Sequence, residues 1–142
     1  MAKTGPYAQA CPIARTLDVI GDRWTLLIIR DLFIGRSRFN EFRQSTPRIS
    51  PKLLSQRLRR LEDEGIVERA LLDGHPPRAE YRLTSRGRSL FPVLSAMGTW
   101  GFEHLFATEP ELRTEVDAYL RAQVPEYVAM SAASADAKEG TK

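Results

Sequence analysis

The chain has 142 residues, of which 42% are hydrophobic and 27% are charged, and its formal net charge is +3. This length predicts one main domain, and the apolar content is sufficient for a core, which excludes a chain that is disordered throughout. A membrane span is excluded, because no apolar run approaches ~20 residues. A secretory signal is excluded, because MAKTGPYAQAC has no apolar segment. An internal disulfide is excluded, because the chain has only one cysteine.

The N-terminal part of the chain predicts an arm followed by two helices. Residues 1–10 form the flexible arm, and Cys11-Pro12 opens the first helix, because proline at the first helical position loses only an amide that had no partner. Gly21 ends this helix, whose apolar face consists of Ile13, Leu17 and Ile20. The second helix, RWTLLIIRDLFI, is capped by Asp22 and is apolar on more than one side, which predicts that it lies at the centre of the core.

Two further helices are predicted to form a helix-turn-helix. The first lies around Arg38–Gln44, and the segment STPRIS ends it, because Pro47 pushes the residue before it out of the α region. Ser50 caps the second helix, Pro51 takes its first position, and Gly65 ends it. Its buried stripe consists of Leu54, Leu58 and Leu61. Two short helices joined by a tight turn are typical of this motif.

After Gly65 the apolar pattern changes from a helical period to a strand period. The segments IVERALL and AEYRLT predict two strands, and DGHPPR between them provides the turn of a hairpin. Thr84 or Ser85 begins a further helix that extends to about Phe106. The chain is therefore predicted to consist of a flexible arm at residues 1–10 and a winged helix-turn-helix domain at residues 11–106. An additional helix follows at residues 107–125, and a disordered tail at residues 126–142.

The second helix of the helix-turn-helix carries positive charge on the face opposite its leucines. Between Arg36 and Arg60, eight lysines and arginines accompany a single acid, Glu41. Glutamine can pair with adenine, and lysine or arginine with guanine, in the major groove of DNA, while a helix start suits a phosphate. The predicted DNA contacts on the two helices are Arg38, Ser50, Lys52, Ser55, Gln56, Arg59 and Arg60. The alternative is a solvated surface whose charges only keep the protein soluble.

A helix-turn-helix followed directly by a hairpin is the winged-helix arrangement, which predicts an α+β, mostly helical fold. The tip of the hairpin in such a fold reaches beside the duplex. His75 and Arg78 are therefore predicted to contact the minor groove or its phosphates. The alternative is a hairpin that only covers the edge of the core.

Four segments in order, CPIARTLDVIGDRWTLLIIRDLFIGRSRFNEF, ISPKLLSQRLRRLEDEGIVER, PPRAEYRLTSRGRSL and MGTWG, closely resemble the HxlR family of bacterial winged-helix transcription regulators, relatives of the MarR group. The resemblance covers residues 11–105. It implies a homodimer that binds double-stranded operator DNA. Because a single cysteine fits a reducing cytosol, we predict a cytoplasmic protein that is associated with the nucleoid when bound. Our hypothesis is that it acts as a repressor. N- and C-terminal dimerisation helices are typical of this family, which implies an interface here of Ile13, Leu17, Ile20, Leu94, Met97 and Trp100.

Cys11 stands at the expected N-cap of the first helix, where unpaired amides and the helix dipole favour the reactive thiolate. The resemblance adds that some regulators of this family sense quinones, aldehydes or oxidants through the matching cysteine. Because the chain has no second cysteine, any disulfide would join two subunits or a subunit and a small thiol. The alternative is a small packing residue at the dimer interface.

Other functions fit these residues less well. The two histidines, His75 and His104, have no metal-ligand spacing, and the sequence shows no glycine-rich phosphate loop or nucleophile elbow, so no catalytic residue, metal site or cofactor is predicted. A winged-helix protein-interaction module without operator binding is the second hypothesis, and a neutral or acidic recognition helix would indicate it. A small-molecule effector is a further partner that the family resemblance allows.

Overall fold

The computed structural model describes residues 6–106 and 110–123. In chain order these residues form α1 (Pro12–Ile20), α2 (Thr25–Phe33), α3 (Phe39–Ser45), α4 (Pro51–Asp63), β1 (Val67–Leu72), β2 (Arg78–Leu83), α5 (Ser85–Arg88), α6 (Phe91–His104) and α7 (Pro110–Gln123). The chain divides into two compact units, Met1–Leu90 and Phe91–Lys142. The first unit holds α1 to α5 and the hairpin, and the second holds α6 and α7.

The core of the first unit is built around α2, none of whose residues is exposed, and includes one face of α1, α3 and α4 and the base of the hairpin. The predicted leucine stripe of α4 is confirmed, because Leu54, Leu58 and Leu61 are each no more than 1% exposed. The other buried apolar side chains of this core are Ala14, Ile20, Ile28, Ile29, Leu32, Phe42, Ile49, Ile66, Val67 and Leu83. Since burying one such side chain stabilises a fold by about 1.5–3 kcal/mol, this cluster holds α2, α3 and α4 together.

Two predicted helix caps are present in the structure. The carboxylate of Asp22 accepts the amides of Trp24 at 2.9 Å and Thr25 at 3.1 Å, and these amides have no partner within the first turn of α2. The hydroxyl of Ser50 accepts the amide of Leu53 at 3.2 Å at the start of α4. Both caps fix the direction in which these helices leave their preceding turns.

The strands β1 and β2 pair antiparallel from Val67↔Leu83 to Leu72↔Arg78, which confirms the predicted hairpin. Its position in the unit is fixed at both edges. The amide of Tyr81 donates to the carbonyl of Ser37 at 2.8 Å, which attaches β2 to the α2–α3 loop. At Gly87 a Cβ atom would lie 2.2 Å from the carbonyl oxygen of Ile66, so only glycine allows α5 to approach the residue before β1 this closely.

The single helix predicted from Thr84 or Ser85 to Phe106 is wrong, because the structure divides it into α5 and α6. Thr84 caps α5 by accepting the amide of Gly87 at 3.1 Å. Pro92 explains the interruption, since proline has no amide to donate to the carbonyl of Arg88 and its ring crowds that carbonyl. In α6 the same residue lies in the first turn, where proline is tolerated.

The second unit begins with α6, none of whose side chains is buried. The additional C-terminal helix predicted at residues 107–125 is observed as α7 (Pro110–Gln123), and residues 107–109 and 124–125 lie outside the described part of the chain. The tail predicted at 126–142 and the first five residues of the predicted arm also lie outside it. Among the described helices, none combines the length and the apolar composition that crossing a membrane requires.

Candidate nucleic-acid interface

The surface of α4 that faces away from the core carries a row of polar side chains. Because the leucine stripe points inwards, the 100° turn between successive residues directs the opposite face to solvent. The side chains of Lys52, Ser55, Gln56 and Arg59 are all exposed along this face. We call these four residues the reading edge. It presents two cations and two hydrogen-bonding groups along about two turns of one helix, and Ser50 is exposed at the start of that helix.

The other two arginines of α4 contact the protein itself. The Nε atom of Arg57 lies 3.2 Å from Oδ1 of Asp22, in a geometry that makes an ion pair but not a linear hydrogen bond. The guanidinium of Arg60 donates from Nη2 to the backbone carbonyl of Asp18 in α1. Arg60 was among the predicted DNA contacts, and the structure directs its guanidinium to α1 instead of leaving it on the reading edge.

Asp22 connects the start of α2 with α4. Burial alone would raise the pKa of its carboxyl group, but the hydroxyl of Thr25, the amide of Trp24 and the guanidinium of Arg57 together outweigh this effect. The pKa of Asp22 is therefore held below its usual value, and the carboxylate is ionised throughout the neutral pH range. The ion pair between Asp22 and Arg57 therefore persists at neutral pH, and it connects the start of α2 to α4.

A buried carboxylate that was not predicted from the sequence joins α2 to the helix-turn-helix. The Oδ1 atom of Asp31, which is 0% exposed, accepts Arg30 Nη2 at 3.0 Å, Arg36 Nη1 at 2.9 Å and Ser45 Oγ at 2.9 Å. These partners come from α2, the α2–α3 loop and the end of α3. An acid inside the apolar run TLLIIRDLF was the signal that could have identified it, since a buried charge requires partners.

The start of α3 is capped by Glu41 and also contacts the hairpin through Arg38. Glu41 accepts the amides of Ser37 and Arg38, each at 2.8 Å, and these two bonds lower the pKa of its carboxyl group. The side chain of Arg38, a predicted DNA contact, is 47% exposed and lies 3.4 Å from the carboxylate of Glu80 on β2. Such a solvated pair is weak, so it holds the guanidinium of Arg38 only loosely.

The predicted contacts on the hairpin lie at its far end. His75 is exposed in the loop between the strands, and Arg78 is exposed at the first position of β2, opposite Leu72. Leu71 and Leu72 at the same end are 63% and 39% exposed, so the hairpin extends beyond the core that its base covers. The tip therefore combines one cation with an apolar surface.

Two exposed apolar surfaces coincide with most of the predicted dimer contacts. On α1, Ile13 is 72% and Leu17 is 43% exposed, whereas Ile20 is only 3% exposed and lies in the core. The prediction for Ile20 is therefore wrong, because α1 enters the core at its C-terminal end. On α6, Met97 and Trp100 are 54% and 58% exposed, and Leu94 is half-buried.

Cys11 is exposed at the N-cap of α1 in an extended backbone conformation, and its side chain makes no capping hydrogen bond. The helix begins directly after it, since the amide of Arg15 donates to its carbonyl at 2.9 Å. The thiol thus meets two requirements of a reactive cysteine, which are access from solvent and a position at the positive end of a helix.

Comparisons with known proteins agree on one family. The HxlR-like helix-turn-helix family matches residues 19–109. Two uncharacterised HTH-type transcriptional regulators of Bacillus subtilis (strain 168), YdeP and YybR, are similar in sequence. YdeP is 42% identical over 93 residues, which is 66% of this chain and 73% of YdeP. YybR is 43% identical over 96 residues, which is 68% of this chain and 77% of YybR. The redox regulator HypR in its oxidised form has a similar structure, with a TM-score of 0.63, 42% identity and coverage of 66% of this chain and 97% of HypR.

Proposed function

Because the chain belongs to the HxlR-like helix-turn-helix family of transcription regulators, we propose that it is a cytoplasmic homodimeric repressor that recognises its operator with the reading edge of α4. The observation that carries this proposal is the exposed row of Lys52, Ser55, Gln56 and Arg59 opposite the buried leucines. A dimer seated on the operator excludes other proteins from the same stretch of duplex, which is the simplest route to repression.

The reading edge suits the major groove of B-form DNA. An α-helix fits this groove, where glutamine pairs with adenine and arginine pairs with guanine. We assign base reading to Gln56 and Arg59, with Ser55 one turn before Arg59, and phosphate contacts to Lys52 and Ser50 at the start of the helix. Arg38, His75 and Arg78 would contact the backbone or the minor groove beside this site.

A second copy of the chain completes the proposed site. One recognition helix reads only a few base pairs, which gives too small a ratio between specific and nonspecific binding. A two-fold dimer places two such helices ~34–36 Å apart, one turn of duplex, on a pseudo-palindromic operator. The exposed apolar side chains Ile13 and Leu17 on α1, and Met97 and Trp100 on α6, are the surfaces we assign to the second copy, with Leu94 beside them.

The salt dependence of duplex binding tests this function. Each neutralised phosphate lowers the log of the binding constant by ~0.9 per unit of log salt, so several phosphates neutralised by two subunits predict a slope of about −4 or steeper. We expect this slope for a duplex selected from a random pool, measured by fluorescence anisotropy at increasing salt. Binding that does not respond to salt, or no enrichment of any sequence from the pool, would contradict the proposal.

We further propose that Cys11 makes the repressor responsive to thiol-reactive compounds, a proposal supported by its exposure, its N-cap position and the likeness to the redox regulator HypR. A thiol-reactive electrophile should release the native protein from its operator but leave the Cys11→Ser variant bound. The measurement is a titration of the complex with the electrophile, followed by anisotropy. Equal release from both proteins would remove Cys11 from the mechanism.

A further inference from the structure

Four polar side chains of α4 form two neighbouring rows with different surroundings. Residues three apart lie on the same side of a helix, so Gln56 and Arg59 form one row and Arg57 and Arg60 form the next. The first row is exposed on the reading edge. The second row, in which Arg57 is half-buried and Arg60 is exposed, contacts α1 and the turn before α2 through the carbonyl of Asp18 and the carboxylate of Asp22. Adjacent cations on this helix therefore have different tasks.

The partner of Arg60 is a carbonyl at the end of a helix. The last four carbonyls of a helix lack intrahelical partners, and in α1, which ends at Ile20, the carbonyl of Asp18 is one of them. The partial negative charge at a helix C-terminus also attracts a cation. The guanidinium of Arg60 therefore meets an acceptor that otherwise lacks a partner in its own helix, and it does so with a charge-assisted hydrogen bond.

The side chain of Asp18 and the end of α1 have further contacts. The Oδ1 atom of Asp18 accepts the amide of Tyr7 at 3.3 Å, so the segment before α1 folds back onto this residue. Ile20, two residues later, is buried in the core. Arg60 thus donates to a fixed point, and a bond to a fixed point can determine the rotation of α4 about its own axis.

We propose that Arg60 is a positioning residue for DNA recognition and not a DNA contact. This inference rests on the function proposed above, since it concerns how the reading edge is presented. Arg60 and Arg57 attach two successive turns of α4 to the α1–α2 region, and this attachment sets the angle at which Gln56 and Arg59 face the duplex. Hydrogen bonds between side chains and base edges need accurate placement. Loss of the bond from Arg60 to α1 therefore reduces selectivity more than it reduces nonspecific affinity.

The anchor also joins the two surfaces on which the proposed repressor depends. The helix that receives Arg60 is the one that exposes Ile13 and Leu17. A second copy that docks on α1 would therefore act on α4 through Asp18 and Arg60.

Two variants that each remove one positive charge from the same helix distinguish positioning from direct binding. Lys52→Ala should reduce the salt slope by ~0.9 for each phosphate that is no longer neutralised, and it should leave the preference for operator over random duplex unchanged. Arg60→Ala should leave the salt slope unchanged and lower that preference about tenfold, at all base positions read by α4. A reduced slope with unchanged preference for Arg60→Ala, or no change in either quantity, would overturn the inference.

Rescue and a measurement without DNA complete the test. Arg60→Lys retains a cationic donor and should restore most of the preference, because one bond to a single carbonyl does not need the planar fork of a guanidinium. Amide hydrogen exchange of the free protein should be faster in α4 and at the end of α1 for Arg60→Ala, and unchanged for Lys52→Ala. Unchanged exchange in Arg60→Ala would overturn the anchor, whereas native protein that binds no duplex would refute only the proposed function.

Discussion

Replacing Asp31 with alanine is expected to lower the free energy of unfolding of the first unit by about 3 kcal/mol, the lower end of the range for breaking a buried ion pair. The lower end applies because Arg30 and Arg36 are 42% and 31% exposed at their side chains, so water can solvate them once the carboxylate is gone. Among the residues that the structure describes, the buried Oδ2 atom of Asp31 has no hydrogen-bond partner, which further reduces the net contribution of the native carboxylate.

The measurement is urea unfolding followed by far-UV circular dichroism, together with a thermal midpoint that should fall by roughly 10–25 °C for a unit of this size. Glu68→Ala is the matched control. Glu68 pairs with Arg82 at 3.6 Å, but both side chains are more than half exposed, so its loss should cost less than about 1 kcal/mol. If Asp31→Ala and Glu68→Ala were equally stable, the Asp31 cluster would not hold α2 against the helix-turn-helix.

Features that depend on local pattern could be predicted from the sequence. The leucine spacing of α4, the caps Asp22 and Ser50, and the change of period at the hairpin each arise from residues that are close in the chain. Pro92 was also a local signal, for the break between α5 and α6, but the apolar residues around it favoured a continuous helix. The break was therefore predictable in principle and was not predicted.

The contacts of Asp31 and Arg60 depend on tertiary structure and could not be derived from spacing. Arg60 bonds a backbone carbonyl 42 residues earlier in the chain, and every residue carries the same carbonyl group, so no side chain marks the acceptor in the sequence. On a helical wheel Arg60 borders the reading edge, and its predicted role as a DNA contact was based on this angular position alone. The angle of a long side chain does not determine which of two surfaces its guanidinium reaches.

The four cations of α4 are not equally available to a duplex. Lys52 and Arg59 lie on the reading edge, while Arg57 and Arg60 are committed to the protein. The number of cations on the helix therefore overstates the positive charge that it offers to DNA. Selectivity in the proposed complex has to come mainly from the hydrogen-bonding geometry of Gln56 and Arg59.

Gln56→Ala and Arg59→Ala are each expected to lower the preference for operator over random duplex by about 1–3 kcal/mol, or roughly 5- to 150-fold, while leaving the fold intact. Both side chains are exposed and face away from the leucine stripe, so their truncation removes no core packing. The loss should be confined to one base position in each half-site, because each side chain is proposed to read one base. Selection from a random pool with each variant would reveal the position concerned.

Glu62→Ala is a suitable control for this experiment, since Glu62 is exposed on the same helix but lies outside the reading edge. Its selected sequences should match those of the native protein. The number of affected base positions also distinguishes the roles of these residues. Loss of Gln56 or Arg59 should change selectivity at one position, whereas loss of Arg60 should weaken selectivity at every position read by α4. If the Gln56→Ala and Arg59→Ala proteins selected the native operator with native preference, α4 would not read bases through this edge, because truncating a side chain that pairs with a base must change base choice.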